Sequence, residues 1–200
     1  MTVLKRRTST TQKDTVKEVT QEIETPFKPK EKTSIRCDTT ISTGSTLLDL
    51  IISGGRINGG GVPGGIILEI AGPAASGKTA ILAQIAANAQ SKNGQVMFLD
   101  PEARFDQEYA EIYAIKLDAN DSYRPYTVEE IFDKIYQWKP ENGNVINVIC
   151  ADSLAALSTD MEMDEQDRMG MRRAKCFSEG LRKTARIISG NNWIIACSNQ

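Results

Sequence analysis

A six-residue apolar run, IILEIA at residues 66–71, passes directly into GPAASGKT and then into AILAQIAANAQ. No other stretch limits the fold of this chain so tightly. The apolar run has the length of a buried strand. The spacing of Ile81, Leu82, Ile85 and Ala89 predicts a helix over residues 77–90 with one apolar face. A strand that feeds a helix through a short turn packs that helix back on its own sheet, and the following strand then lies parallel to the first. Residues 72–79 also fit the spacing G-x-x-x-x-G-K-[ST]. Glycine lets successive backbone N–H groups curl around phosphate oxygens, a lysine adds a point charge at the β- and γ-phosphates, and the next hydroxyl can ligate Mg²⁺. Gly72, Pro73, Ala74, Ala75, Ser76, Gly77, Lys78, Thr79 and Ala80 are therefore expected to cradle the phosphates of a nucleotide.

The alternation continues downstream. QVMFLD (95–100) reads as a strand, DQEYAEIYAIKL (106–117) as a helix, and DSYRPY as room for a short strand. TVEEIFDKIYQW (127–138) is the best-marked helix, because Thr127 and Glu130 are spaced as a capping box and Val128, Ile131, Ile135 and Trp138 share a face. NVINVICAD (144–152) is a strand, residues 171–189 a long helix, and WIIACS (193–198) a further strand. Ala174, Phe177, Leu181, Ala185 and Ile188 are expected to form the buried face of the long helix. Such alternation predicts an α/β fold, a mostly parallel sheet flanked by helices on both faces. Upstream, ISTGSTLLDLII reads as a turn and a short apolar helix or strand. GGRINGGGVPGG (54–65) is too glycine-dense for an element interior and reads as turns or an excursion. Residues 1–35, rich in Thr, Lys and Glu, are expected to be a disordered polar tail. Residues 36–200 form the core, which is expected to be incomplete because the chain stops directly after a strand.

Absent residue types narrow the chemistry. The chain has no histidine, which removes Ser-His and Cys-His nucleophiles. Cys37, Cys150, Cys176 and Cys197 form no C-x-x-C pair, so neither a zinc site nor a disulfide framework is expected, and a reducing, cytoplasmic setting fits. A formal net charge of −2 means that any surface for nucleic acid is local. No apolar run approaches the roughly 18 residues of a membrane helix.

Two carboxylates fall at strand ends. Asp152 closes VINVICAD at the edge where ligands of α/β sheets bind, so it reads either as a carboxylate holding Mg²⁺ through water or as a cap for the next segment. Glu102, just past the second strand in LDPEARFD, reads either as the group that orients or deprotonates an attacking water or as a surface acid.

ISTGSTLLDL, GPAASGKT, FLDPEARFDQEYA, ADSLAALS, MGMRRAKCFSEGLRK and a terminal SNQ follow one another in an order and approximate spacing that resemble the bacterial and phage RecA-type recombinases. The resemblance runs from about Ile41 to Gln200. It implies a RecA-like P-loop NTPase core and a DNA-dependent ATPase that uses ATP and Mg²⁺. It further implies a homo-oligomeric filament on single-stranded DNA that pairs with homologous duplex DNA and exchanges strands in recombination and repair. By this resemblance Glu102 matches the glutamate that activates water, Lys78 the catalytic lysine, and Gln200 the glutamine that senses the γ-phosphate. Asp106 and Tyr109 match an acid and an aromatic at adenine, Thr79 and Asp152 the metal site, and Ser153 the serine after it.

STDMEMDEQDRMGMRRAKCFSEGLRK falls where that family has its first DNA-binding loop and the helix leaving it. Met169 matches a methionine that wedges between bases, and Arg172, Arg173 and Lys175 are expected to bind DNA. Read without the family, the same basic helix is better explained by a solvated surface. Asp160, Glu162, Asp164, Glu165 and Asp167 crowd the loop before it and repel phosphate unless they face elsewhere. Arg104 stands where relatives often carry histidine. The alternatives are an ATP-gated recombination mediator without catalysis, or a helicase on the same fold.

Overall fold

A computed structural model describes residues 39–54, 59–118, 121–158 and 171–199. All of them belong to the compact unit Ile35–Gln200. The expected tail, the acidic stretch, Met169 and Gln200 lie outside the described residues, as do residues 55–58 of the glycine-rich segment.

Among the described residues, seven strands and five α-helices follow in chain order: β1 (Thr40–Ile41), α1 (Thr46–Ser53), β2 (Val62–Pro63), β3 (Ile66–Ala71), α2 (Lys78–Ser91), β4 (Val96–Leu99), α3 (Gln107–Ile112), β5 (Ser122–Tyr123), α4 (Val128–Gln137), β6 (Val148–Ala151), α5 (Met171–Asn191) and β7 (Ile194–Asn199). A single 3₁₀ turn, Leu154–Ala156, follows β6. The main sheet is parallel throughout, in the order β3-β7-β6-β4-β5. β1 and β2 form a separate antiparallel pair. The expected α/β fold with a parallel sheet is borne out.

Strand side chains alternate between faces, and each face has its own layer. Val96, Phe98, Val148, Cys150, Ile194 and Ala196 meet Leu82, Ala83, Ile85, Ala86 and Ala89 of α2. Met97, Leu99, Ile149, Ile195 and Cys197 meet Val128, Ile131 and Ile135 of α4 and Ile188 of α5. β4, β6 and β7 are buried on both sides, which is why they read as continuous apolar runs rather than alternating ones. The capping box at α4 forms as expected, with Thr127 Oγ1 accepting from Glu130 N and the Glu130 side chain accepting from Thr127 N.

Two expectations need correction. The helix read over 106–117 is only Gln107–Ile112. Ala114 turns left-handed (φ 56°), Ala114 N donates to Glu111 O, and Ile115 N reaches back to Ala110 O. These bonds satisfy the last carbonyls and drop Ile115 into the core. Its apolarity marks a buried loop residue, not another helical turn. Secondly, Ala174, Leu181 and Ala185 of α5 are exposed. Its inner face is Phe177, Gly180, Thr184, Ile187 and Ile188. At Gly180 a Cβ would stand 2.2 Å from Phe132 Cε2, and Tyr136 Oη donates to Gly180 O at 3.2 Å. The helices meet where α5 has least side chain, so size rather than apolarity sets the face.

Candidate nucleotide site

The parallel register lines up the carboxyl ends of β3, β7, β6 and β4. Ala151 pairs with Cys197 and with Leu99, which places Ser198, Asp152 and Asp100 side by side just beyond. The loop 72–77 leaves β3 beside them and is tied to β7 by Gly72 N donating to Asn199 O at 3.4 Å. Gly77 caps α2 at φ 88°, a left-handed conformation that costs glycine nothing, and no side chain caps the helix. The first-turn N–H groups of α2 have no partner inside the helix and suit an anion.

Lys78 is buried, and its Nζ donates to the carbonyls of Gly72 and Pro73, each at 2.8 Å. Thr79 Oγ1 donates to Asp152 Oδ2 at 2.5 Å, and Ser198 Oγ donates to Asp152 Oδ1. Ser153 Oγ is buried without a partner. Residues 75–80, Glu102, Arg104, Tyr109, Asp152 and Ser153 line one cavity of about 250 Å³. Of the sequence-derived candidates, residues 75–80, Glu102, Tyr109 and Asp152 thus share a single hollow, whereas Gly72, Pro73 and Ala74 do not line it.

The segment after β4 is pinned from two sides. Asp100, fully buried, accepts from Phe105 N through Oδ2 at 2.8 Å, while its Oδ1 has no partner. Phe105 stacks on Phe98 of β4 with ring centroids 3.9 Å apart, and Tyr109 meets Phe105 edge-on at 5.5 Å. This aromatic ladder carries the Tyr109 ring from the sheet to the cavity. Burial first, then the Tyr113 hydroxyl 3.4 Å away, push the Tyr109 phenol up to about 12, so it stays neutral at physiological pH. Between the two anchors Ala103 is left-handed (φ 53°), and Glu102 and Arg104 converge in an ion pair of 2.6 Å. Asp106 serves as N-cap of α3, its Oδ1 accepting from Tyr109 N at 2.8 Å. It lines a neighbouring hollow together with Phe105 and Lys116.

Among the expected DNA contacts, Lys175 is exposed and lies 3.9 Å from Glu179. Arg173 is committed elsewhere: its guanidinium donates to the carbonyls of Leu154 and Ala155, at 3.0 and 2.9 Å, and so ties α5 to the turn that follows Asp152. Arg172 lies on α5, and its side chain is outside the described residues.

Sequence reasoning missed Ser198 and Asp100. Ser198 meets Asp152 only because β7 lies beside β6, a neighbourhood that no local spacing reveals. Asp100 carried a signal, a lone acid closing an apolar strand, which the nearby Glu102 overshadowed.

A parallel α/β sheet with a glycine loop at its first strand, a threonine opening the next helix and an aspartate two strands away defines a phosphate-loop nucleotide-binding protein. Residues 27–200 match the model of the RecA N-terminal domain, and the chain belongs to the RecA family. It is 37% identical over 165 residues to Protein RecA of Rhodospirillum rubrum, covering 80% of this chain and 42% of that protein. It is also 37% identical over 163 residues to Protein RecA of Geobacter sulfurreducens, covering 80% and 46%, and 32% identical over 176 residues to that of Thioalkalivibrio sulfidiphilus, covering 85% and 48%. The chain therefore spans less than half the length of these relatives. Among the described residues, no helix is long and apolar enough to cross a membrane.

Proposed function

We propose that this chain is the nucleotide-binding core of an ATP-dependent DNA recombinase, which assembles as a filament on single-stranded DNA in the cytoplasm and promotes homologous pairing and strand exchange. Membership of the RecA family supports the class. The observation that carries the reading is the convergence of Lys78, Thr79, Asp152 and Glu102 on one cavity at the sheet edge.

In this reading the loop N–H groups and the first turn of α2 hold the phosphates, and Lys78 exchanges its carbonyl partners for the β- and γ-oxygens. The donor set fits Mg²⁺, which takes one or two protein oxygens plus phosphates and water rather than a cage of carboxylates. Thr79 Oγ1 and Asp152, already 2.5 Å apart, would hold it. Among the described residues no cluster of three or more acidic or sulfur ligands competes for a metal. When bound, the ion neutralises charge on the β- and γ-oxygens. Glu102 accepts a proton from water as the water oxygen bonds to the γ-phosphorus, and the bond to the bridging oxygen breaks to release ADP. Tyr109 stacks on adenine, Asp106 stands beside it, and Gln200 senses the γ-phosphate. Met169, Arg172 and Lys175 face DNA. Arg173 holds the turn after Asp152 to the helix that leaves the DNA loop.

The test is ATP hydrolysis by the full-length gene product with and without single-stranded DNA. Stimulation by DNA is expected, and Glu102→Gln should lower the turnover by at least about a hundredfold, the usual scale of general-base loss. ATP binding with no response to DNA would replace the recombinase by a nucleotide-gated mediator. Duplex unwinding without strand exchange would replace it by a helicase.

A further inference from the structure

Two cations line the cavity among the described residues, and both are already engaged. Lys78 rests on two neutral carbonyls of its own loop. Arg104 holds a full charge, with its Nε 2.6 Å from Glu102 Oε2. The pair is built by the backbone. Left-handed Ala103 folds residues 102 and 104 toward each other, and Asp100 and Phe105 fix the two ends of the turn. The partners differ in freedom. The Glu102 side chain is 14% exposed, whereas that of Arg104 is 63% exposed on a long flexible stem. The carboxylate is therefore the fixed member and the guanidinium the mobile one.

We infer that Arg104 is a latch on Glu102, exchanged for the γ-phosphate when a nucleoside triphosphate binds. In this ion pair Arg104 occupies the Glu102 oxygen that would otherwise accept from water. An arriving γ-phosphate brings up to two negative charges and three acceptor oxygens, and a guanidinium prefers such a group to a single carboxylate oxygen. As Arg104 swings to the phosphate, Glu102 becomes free to take a proton from water, and the same cation stabilises charge on the transferring group. A diphosphate offers nothing at that position, so with ADP the latch stays closed. Arg104 is thus a positioning residue while paired with Glu102 and a phosphate ligand once a triphosphate is bound. This rests on the nucleotide reading of the cavity.

The exchange is tested by a double-mutant cycle in the full-length protein. ADP and the slowly hydrolysed analogue ATPγS are titrated into wild type, Arg104→Ala, Glu102→Gln and the double variant. Arg104→Ala should weaken ATPγS about tenfold and leave ADP within about twofold, and Arg104→Lys should recover part of the loss. Glu102→Gln should tighten ATPγS about threefold or more by releasing Arg104, and that gain should vanish in the double variant. An equal gain in both backgrounds would mean simple charge removal beside the phosphate and would overturn the latch. Equal weakening of ADP and ATPγS by Arg104→Ala would reduce Arg104 to a structural part. A wild type that binds neither nucleotide would overturn the reading of the cavity, and the latch with it. One that binds both, with Arg104→Ala indistinguishable from it, would overturn the latch alone.

Discussion

Asp49 shows how one buried carboxylate can tie a turn to the helix that follows it. It accepts from Ser42 Oγ at 2.5 Å, from Thr43 N at 2.7 Å and from Thr43 Oγ1 at 2.6 Å. Burial alone would raise its pKa. The hydrogen bonds from Ser42 and Thr43, with Lys92 nearby, outweigh burial and leave it below the usual carboxylate value. A depressed folded pKa stabilises the fold fully above the unfolded value and stops doing so as pH falls through the folded one. Asp49→Asn should therefore cost about 2 kcal/mol at neutral pH, and urea titrations should show the deficit shrinking below about pH 4. Individual residues were legible from the sequence where their partners are covalent neighbours. Gly72–Thr79 could be read because loop, lysine and hydroxyl sit within eight positions. Asp49 with Ser42, and Asp152 with Ser198, could not, because those contacts depend on where a helix or strand finally lies.

At the scale of elements, three helices end on one device. α2, α3 and α5 each stop at a left-handed non-glycine residue, Asn93, Ala114 and Asn192, followed by an N–H that returns to the carbonyl five positions back. After α2 and α5 this turn delivers the chain directly into β4 and β7. The α2 stop was legible from Asn93-Gly94, an ordinary turn pair, whereas the α3 stop was hidden because alanine at a left-handed position carries no signal. The α4–α5 contact was hidden for a related reason, since a glycine inside a helix reads as a weakness rather than as a seat for a ring. Gly180→Ala measures which effect wins. Helix propensity alone would gain about 1 kcal/mol. The added methyl group would meet the Phe132 ring at 2.2 Å, and overpacking of that kind costs about 1–3 kcal/mol. A net loss of up to about 2 kcal/mol is expected in urea unfolding. Phe132→Leu in the same background should recover part of it by relieving the clash.

Across the whole molecule, the alternation of strand and helix was enough to predict a parallel sheet, but the order of its strands was not, because apolar runs of similar length carry no address. That order places β6 and β7 inside the sheet with nearly every residue buried, and the two-residue β5 at one edge. Amide hydrogen exchange should be slowest in β6 and β7 and fastest in β5, in mass-spectrometric peptides that separate them. β7 is the seventh strand in the chain yet lies between β3 and β6, joining six residues of the former to four of the latter. A ribosome releases β3 long before β7. Until residues 194–199 emerge, the nascent chain carries a solitary strand, a three-stranded half-sheet and an open slot between them, and bare edges of that kind attract foreign strands. The main sheet therefore keeps open edges throughout synthesis until β7, the strand that joins β3 to β6, is made.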